Sequence, residues 1–192
     1  LLTAMQAGGR GKHRRWFVDK ALAGGGAVMD HTVHLADILR WYLNSEVIEV
    51  YAQTNHTQSA QADGVNVETG GLIILTFANG TFASIDCSWS RPEHYTTWGG
   101  LKMLLIGERG VVEVDGFGQN LTAYGNPQMH TAWWYWGSDM NQAMVDEFVT
   151  ALRESRPPAV TGYDGLKSLE IALAVYASAE SGQPVALPLA AS

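Results

Sequence analysis

The 192-residue sequence predicts an α+β domain, with a mostly antiparallel, open β-sheet and helices packed on one of its faces. Strand-like segments follow one another through short turns, as they do in hairpins. Helix-like segments stand before and after this block, whereas a parallel sheet would alternate them with the strands. Hydrophobic residues make up 46% of the chain, which is enough for one core, so residues 1–192 are predicted to form a single domain.

The first half of the chain contains one helix and the first strands. Residues 1–6 look like a strand, and residues 7–29 look like a loop rich in glycine and arginine. Apolar residues recur at three- and four-residue intervals over residues 32–43, which predicts a helix. The next segment, VIEVYAQTN, alternates like a strand and places Ile48 on the same face as Val50.

Two hairpins are predicted in the middle of the chain. Asn79-Gly80 separates strand-like runs over residues 65–78 and 81–90. Asn-Gly is a strong hairpin signal because both residues accept the positive φ of a tight turn. LKMLLIGERGVVEVDG repeats this pattern, and QNLTAY adds a further short strand.

Two helices are predicted near the end of the chain, over residues 138–154, with Ser138 as N-cap, and over residues 164–182. Each carries an apolar stripe that is expected to face inward. The stripe residues are Met144, Val145, Phe148, Val149 and Leu152 in the first helix, and Leu166, Leu169, Leu173 and Tyr176 in the second.

Composition limits the possible partners and the compartment. The net charge of −7 argues against a nucleic-acid partner, which requires a basic surface. No segment approaches the ~20 apolar residues of a membrane span, so no membrane partner is expected. The single cysteine, Cys87, excludes an internal disulfide and is expected to be a buried thiol in a reducing, cytoplasmic protein.

The chain has more apolar surface than one small domain needs. Only 16% of its residues are charged, and it contains seven Trp, seven Tyr and five Phe. One face of the open sheet is therefore expected to be covered by a second copy, giving a homodimer or homotetramer.

The segment GGGAVMDHTVHLADILRWYL, residues 24–43, is the main functional candidate. Asp30 and His34 are four residues apart and share one face of the predicted helix. Three interpretations are open. Asp30 caps the helix while His34 packs in the core, or both bind a metal together with His31, or the pair performs acid–base chemistry. In the last case the glycines would let a ligand approach the backbone closely.

The same segment resembles the signature of the glucose–fructose oxidoreductase / inositol dehydrogenase / MocA family of NAD(P)-dependent oxidoreductases. LTFANGTFASIDCSW, LLIGERGVVEVDG and residues 146–188 are similar to later parts of that family's C-terminal domain. The resemblance implies that Asp30 binds substrate and that His34 is the catalytic general base for hydride transfer from a sugar or polyol. It also implies substrate contacts from His31 and from residues of the preceding loop. These loop residues are Lys12, His13 and Arg15.

The resemblance implies a nicotinamide cofactor, NAD or NADP, bound mainly by a separate N-terminal Rossmann domain. The sequence has no strand–turn–helix containing Gly-x-Gly-x-x-Gly, and GGGAV at residues 24–28 follows a loop. The chain is therefore expected to lack a Rossmann domain and to be inactive alone, and no metal is expected. Two alternatives remain, a noncatalytic sugar-binding or oligomerising module and a small metalloenzyme.

Overall fold

The structure is a computed structural model that describes residues 16–55, 65–89, 100–125 and 130–190. It divides into two compact units, residues 1–93 with 162–192, and residues 94–161. The strand predicted over residues 1–6 lies outside the described residues.

The described chain contains helices at both ends of a series of strands. The helices are α1 (Lys20–Ala23), α2 (Ala27–Leu43), α3 (Met140–Arg153) and α4 (Gly162–Ser181). The strands are β1 (Val47–Asn55), β2 (Gly70–Phe77), β3 (Phe82–Asp86), β4 (Lys102–Gly107), β5 (Gly110–Asp115), β6 (Asn120–Gly125), β7 (His130–Tyr135) and β8 (Val185–Ala186). None of these four helices is long and apolar enough to cross a membrane.

The first unit is an antiparallel sheet in the order β3-β2-β1-β8, with α2 and α4 packed on one face. The covered face buries alternate strand residues, including Val50, Ile73, Leu75 and Ile85. The opposite face is open in this unit and exposes large apolar side chains. These are Leu72, Ile74 and Phe82. The predicted α+β class, with helices on one face of an antiparallel sheet, is confirmed.

Strand β1 differs from the predicted alternation at its first residues. Ile48 is exposed, whereas Val47 and Val50 are buried. The pairing register with β2 shifts between Val47 and Glu49, which marks a β-bulge. A bulge places two residues opposite one, so the side chain of Ile48 moves to the open face.

The β2–β3 hairpin is confirmed, but its turn differs in detail from the prediction. Gly80 has a φ of +85°, whereas Asn79 does not have a positive φ. The Asn79 side-chain oxygen instead accepts a hydrogen bond from the backbone N–H of Thr81, at 3.0 Å. The loop therefore needs one left-handed residue, and glycine supplies it.

Helix α4 packs through a different face from the one predicted. Leu166, Leu169 and Leu173 are exposed, and Tyr176 is half-buried. The buried face consists largely of small and β-branched residues, namely Ser168, Ile171, Ala172, Ala174, Val175 and Ser178. Small side chains let the helix lie close to β1, where the hydroxyl of Ser178 accepts a hydrogen bond from the N–H of Ala52 at 3.0 Å. The leucine spacing predicted the helix correctly and its inward face wrongly.

A buried arginine joins α2 to its surroundings. The guanidinium of Arg40 makes two hydrogen bonds to the Glu46 carboxylate, at 2.8 and 2.7 Å, and lies 3.7 Å from Asp164 in the first turn of α4. The hydrogen bonding raises the pKa of Arg40 and lowers that of Glu46. These contacts fix the end of α2 that lies opposite to Asp30.

The second unit contains the hairpins β4–β5 and β6–β7 and helix α3. The first hairpin is the one predicted from the sequence, with Gly110 at a φ of +147°. The N-cap of α3 is Asp139, not Ser138, because its carboxylate accepts hydrogen bonds from Asn141 and Gln142. The predicted inward stripe of α3 is largely exposed, including Met144, Val145, Phe148 and Leu152.

Candidate functional site

Helix α2 begins five residues earlier than predicted, because a distant carboxylate caps it. Gly26 is the N-cap and has no side chain to satisfy the first backbone N–H groups. The Glu68 carboxylate accepts hydrogen bonds from the N–H groups of Gly26 and Val28, at 2.8 and 3.0 Å. The backbone oxygen of Glu68 accepts a third from Ala27, at 3.0 Å. A negative group at this end of the helix also complements its dipole. Asp30 is therefore not the cap.

The glycines before the helix allow close contacts within the protein. A Cβ on Gly26 would lie 2.0 Å from the backbone oxygen of Glu68, and one on Gly25 would lie 1.9 Å from the hydroxyl of Tyr176. Gly24 ends α1 in the left-handed conformation, with a φ of +79°. Close packing within the protein accounts for Gly25 and Gly26, and the left-handed turn accounts for Gly24. The approach of a ligand is not needed to explain the three glycines.

Tyr176 of α4 completes the support of the helix start. Its hydroxyl donates to the Glu68 carboxylate at 2.8 Å. Burial, and then the hydrogen bond to Glu68, raise the pKa of Tyr176 well above its usual value, so the hydroxyl stays protonated as a donor. Neither Glu68 nor Tyr176 is predicted from the sequence to support this site, because neither is near residue 30 in the chain.

Replacing Tyr176 with Phe is expected to lower the free energy of unfolding by about 1–2 kcal/mol, because the buried Glu68 carboxylate loses one donor. Urea unfolding of the 192-residue chain measures this change. Tyr163→Phe is the matched control, since Tyr163 lies on the same helix and is exposed. Equal losses in the two variants would contradict the role assigned to the Tyr176 hydroxyl.

Asp30 lies in the first turn of α2 and is held by an indole from the end of the β2–β3 hairpin. The Nε1–H of Trp89 donates to Asp30 Oδ2 at 2.9 Å. The Trp89 ring is only 4% exposed and stacks on Phe17, with ring centroids 5.5 Å apart. The indole is therefore a fixed donor, and it fixes the orientation of the carboxylate.

His31 faces the protein with both ring nitrogens. Nδ1 lies 2.9 Å from the backbone oxygen of Cys87, and Nε2 lies 3.3 Å from Asp30 Oδ2. A carbonyl oxygen only accepts, so Nδ1 is the donor in the first contact. The substrate contact predicted for His31 stays a prediction, and in this structure its ring nitrogens contact Cys87 and Asp30.

His34 is exposed and lies one helical turn after Asp30 on the same face of α2. This placement does not match a core histidine. Asp30 and His34 together present a carboxylate and an imidazole along one side of a rigid helix. The loop candidates Lys12, His13 and Arg15 lie outside the described residues.

The described residues around this helix offer neither an activated thiol nor a grouped set of metal ligands. Cys87 is buried, and burial raises its pKa to about 12, so its thiol is not an activated nucleophile. Within residues 16–55, 65–89, 100–125 and 130–190, no three His, Cys, Asp or Glu side chains are grouped so that they could hold a metal ion.

The sequence and fold are similar to those of known oxidoreductases. Residues 3–113 match the family model described as the GFO/IDH/MocA C-terminal domain. Inositol 2-dehydrogenase from Rubrobacter xylanophilus is 30% identical over 179 residues, covering 91% of this chain and 50% of that protein. 1,5-Anhydro-D-fructose reductase from Ensifer adhaerens is 29% identical, covering 88% of this chain and 49% of that protein. The crystal structure of GenD2 from gentamicin A biosynthesis, in complex with NAD, matches with a TM-score of 0.74 and 27% identity, covering 91% of this chain and 52% of that one.

The chain belongs to the GFO/IDH/MocA family of oxidoreductases and corresponds to its C-terminal domain. It spans about half the length of the curated relatives it matches. The family resemblance seen in the sequence is thereby confirmed.

Proposed function

We propose that this chain is the substrate domain of a nicotinamide-dependent oxidoreductase that acts on the CH–OH group of a sugar or polyol. The observation that supports it is the pairing of Asp30 and His34 on one face of α2, with Asp30 held by Trp89 and His34 exposed. In this proposal Asp30 accepts a hydrogen bond from a substrate hydroxyl. His34 is the general base that takes the proton from the hydroxyl undergoing oxidation.

The acid–base pair fits the requirements of such a reaction. A nicotinamide cofactor, NAD or NADP, supplies the hydride acceptor when it is bound. His34 removes the hydroxyl proton as the C–H bond breaks, so that negative charge does not accumulate on the substrate oxygen. The exposure of His34 leaves its ring accessible to both substrate and solvent, which a base needs in order to release its proton after each turnover.

The proposed partners follow from the family and from the composition. We assign the main cofactor site to an N-terminal dinucleotide-binding domain, without which the 192-residue chain is expected to be inactive. The small-molecule ligand is a sugar, polyol or derivative, as the names of the relatives suggest for those proteins. A single, buried cysteine is compatible with a reducing compartment, and we propose a cytoplasmic location.

A joined protein tests the proposed function. It consists of the N-terminal half of the Rubrobacter xylanophilus inositol 2-dehydrogenase followed by this chain. We expect it to reduce NAD or NADP with at least one member of a panel of polyols and aldoses, measured by the absorbance of the reduced nicotinamide. Substrate binding without any reduction would contradict the proposal and support a noncatalytic sugar-binding module.

We further propose that two copies of the chain form a homodimer through the open sheet face. A homotetramer would contain two such dimers. Leu72 and Ile74 of β2 and Phe82 of β3 are exposed on this face, and Phe82 is 77% exposed. An isologous contact between two such faces would remove these side chains from water. This proposal assigns a function to the surplus of apolar residues in the composition.

Replacing Ile74 with Lys is expected to raise the dimer dissociation constant by at least about 100-fold, because the contact would bury an unpaired charge. Light scattering coupled to size-exclusion chromatography over a concentration series measures the change. Leu22→Lys is the control, since Leu22 is an exposed apolar residue of α1, outside the sheet. A wild-type chain that stays monomeric at every concentration would refute the proposed dimer.

A further inference from the structure

The carboxylate of Asp30 has one oxygen engaged by the protein. Oδ2 accepts the indole N–H of Trp89 at 2.9 Å and lies 3.3 Å from Nε2 of His31. The other oxygen, Oδ1, has no hydrogen-bond partner in the described part of the chain, and the side chain is about one-third exposed. The two oxygens are therefore not equivalent.

Both groups around Oδ2 are held by contacts that do not depend on Asp30. Trp89 is packed with Val18, Ala27 and Val67, and its backbone N–H donates to the backbone oxygen of Thr69 at 2.8 Å. The ring of His31 is oriented by the bond between Nδ1 and the Cys87 oxygen. The indole donor and the adjacent imidazole are thus in place before any ligand binds, which is the arrangement that preorganises a charged group.

We propose that Trp89 and His31 are positioning residues that engage Oδ2 of Asp30 and leave Oδ1 to accept the substrate hydroxyl. This inference rests on the proposed function, in which Asp30 binds the substrate. It gives His31 a role different from the direct substrate contact predicted from the sequence. It also explains why an almost fully buried tryptophan directs its one polar atom at the start of α2.

The bond between Trp89 and Asp30 can be tested in the 192-residue chain without any activity. The chain has seven tryptophans, and the indole N–H signal of Trp89 in a ¹H–¹⁵N spectrum is identified by its loss in Trp89→Phe. Asp30→Asn replaces the acceptor by a neutral one and is expected to shift the Trp89 signal more than any other indole signal. Asp37→Asn, on the same helix, is the control and is expected to leave the chemical shift of the Trp89 indole signal unchanged.

A second measurement covers the case in which Asp30→Asn does not fold. In the wild-type chain, the Trp89 indole proton is expected to exchange with deuterium far more slowly than that of Trp41, which is exposed. Fast exchange at Trp89, or a Trp89 signal that Asp30→Asn does not shift, would overturn the inference.

The effect on the reaction is tested in the joined protein defined above. Trp89→Phe removes the indole donor and leaves a smaller aromatic ring beside Phe17, so kcat/KM is expected to fall about tenfold. In the Asp30→Asn background the same change is expected to have no further effect, which a purely structural role would not produce. Trp41→Phe is the control for a Trp-to-Phe change and is expected to leave kcat/KM unchanged.

The outcomes separate the two proposals. Absence of hydride transfer in the wild-type joined protein refutes the proposed function, whereas the spectra of the 192-residue chain still decide whether Trp89 binds Asp30. An active joined protein in which the effects of Trp89→Phe and Asp30→Asn are additive overturns the positioning role and leaves the proposed function standing.

Discussion

Replacing His34 with Ala in the joined protein is expected to lower kcat by roughly 10²–10⁴-fold, the usual contribution of a general base. In the proposed mechanism the exposed imidazole of His34 takes the hydroxyl proton, and no neighbour on α2 replaces it. Because the side chain is exposed, its removal is expected to change the free energy of unfolding by no more than about 0.5 kcal/mol. Steady-state kinetics and urea unfolding of the same preparation measure both quantities.

Tyr42→Ala is the matched control for this variant. Tyr42 is also exposed on α2, two turns beyond His34, and has no role in the proposed chemistry. The control is expected to keep wild-type kcat. A His34→Ala protein whose kcat stays within about threefold of the wild-type value would show that His34 is not the general base.

Replacing Gly26 with Ala is expected to have the largest effect on stability, lowering the free energy of unfolding by at least about 3 kcal/mol. The added methyl group would lie 2.0 Å from the backbone oxygen of Glu68 and 2.9 Å from the side chain of Val67. Neither the segment before β2 nor the start of α2 can move away without breaking the hydrogen bonds that Glu68 accepts. Urea unfolding measures the loss, and many preparations of this variant are expected to be insoluble.

Gly165→Ala provides the contrast within the same chain. A Cβ on Gly165 meets nothing within 4 Å, and the residue lies inside α4. This variant is expected to be as stable as the wild type or more stable by about 0.5–1 kcal/mol, because glycine weakens a helix interior. Equal destabilisation by the two substitutions would contradict the steric role assigned to Gly26.

The sequence was sufficient to predict the fold class and to place Asp30 and His34 on one face of a helix, because both depend on local patterns. Alternation and turn residues predict the hairpins, and the four-residue spacing of Asp30 and His34 places them on one helix face wherever the helix packs. The predictions that are wrong, and the contacts that no pattern predicts, depend on residues that are distant in the chain. The bulge that turns Ile48 outward is set by pairing with β2, and the inward face of α4 is set by how closely its small residues approach the sheet.

The supporting residues of the site could not be assigned for the same reason. Trp89 follows β3, Glu68 precedes β2, and Tyr176 lies on α4, yet all three contact the first turn of α2 or the residues just before it. Periodicity identifies Trp89 as an inward-facing residue but does not specify the partner of its indole N–H. The three glycines are the available signal, since a run of residues without side chains indicates close packing, but the sequence does not distinguish a ligand from Glu68 and Tyr176 as the partner.

The transfer of deuterium is the most direct test of the account. Polyols or aldoses that support reduction in the joined protein would be supplied with deuterium on the carbon of each CH–OH group, and the reduced nicotinamide would be analysed by mass spectrometry. We expect one deuterium on the nicotinamide ring with the wild-type protein, and at least about 100-fold slower labelling with His34→Ala. Reduced nicotinamide that carries no deuterium, or labelling at an equal rate in the His34→Ala protein, would contradict the proposal that this domain directs hydride transfer with His34 as its base.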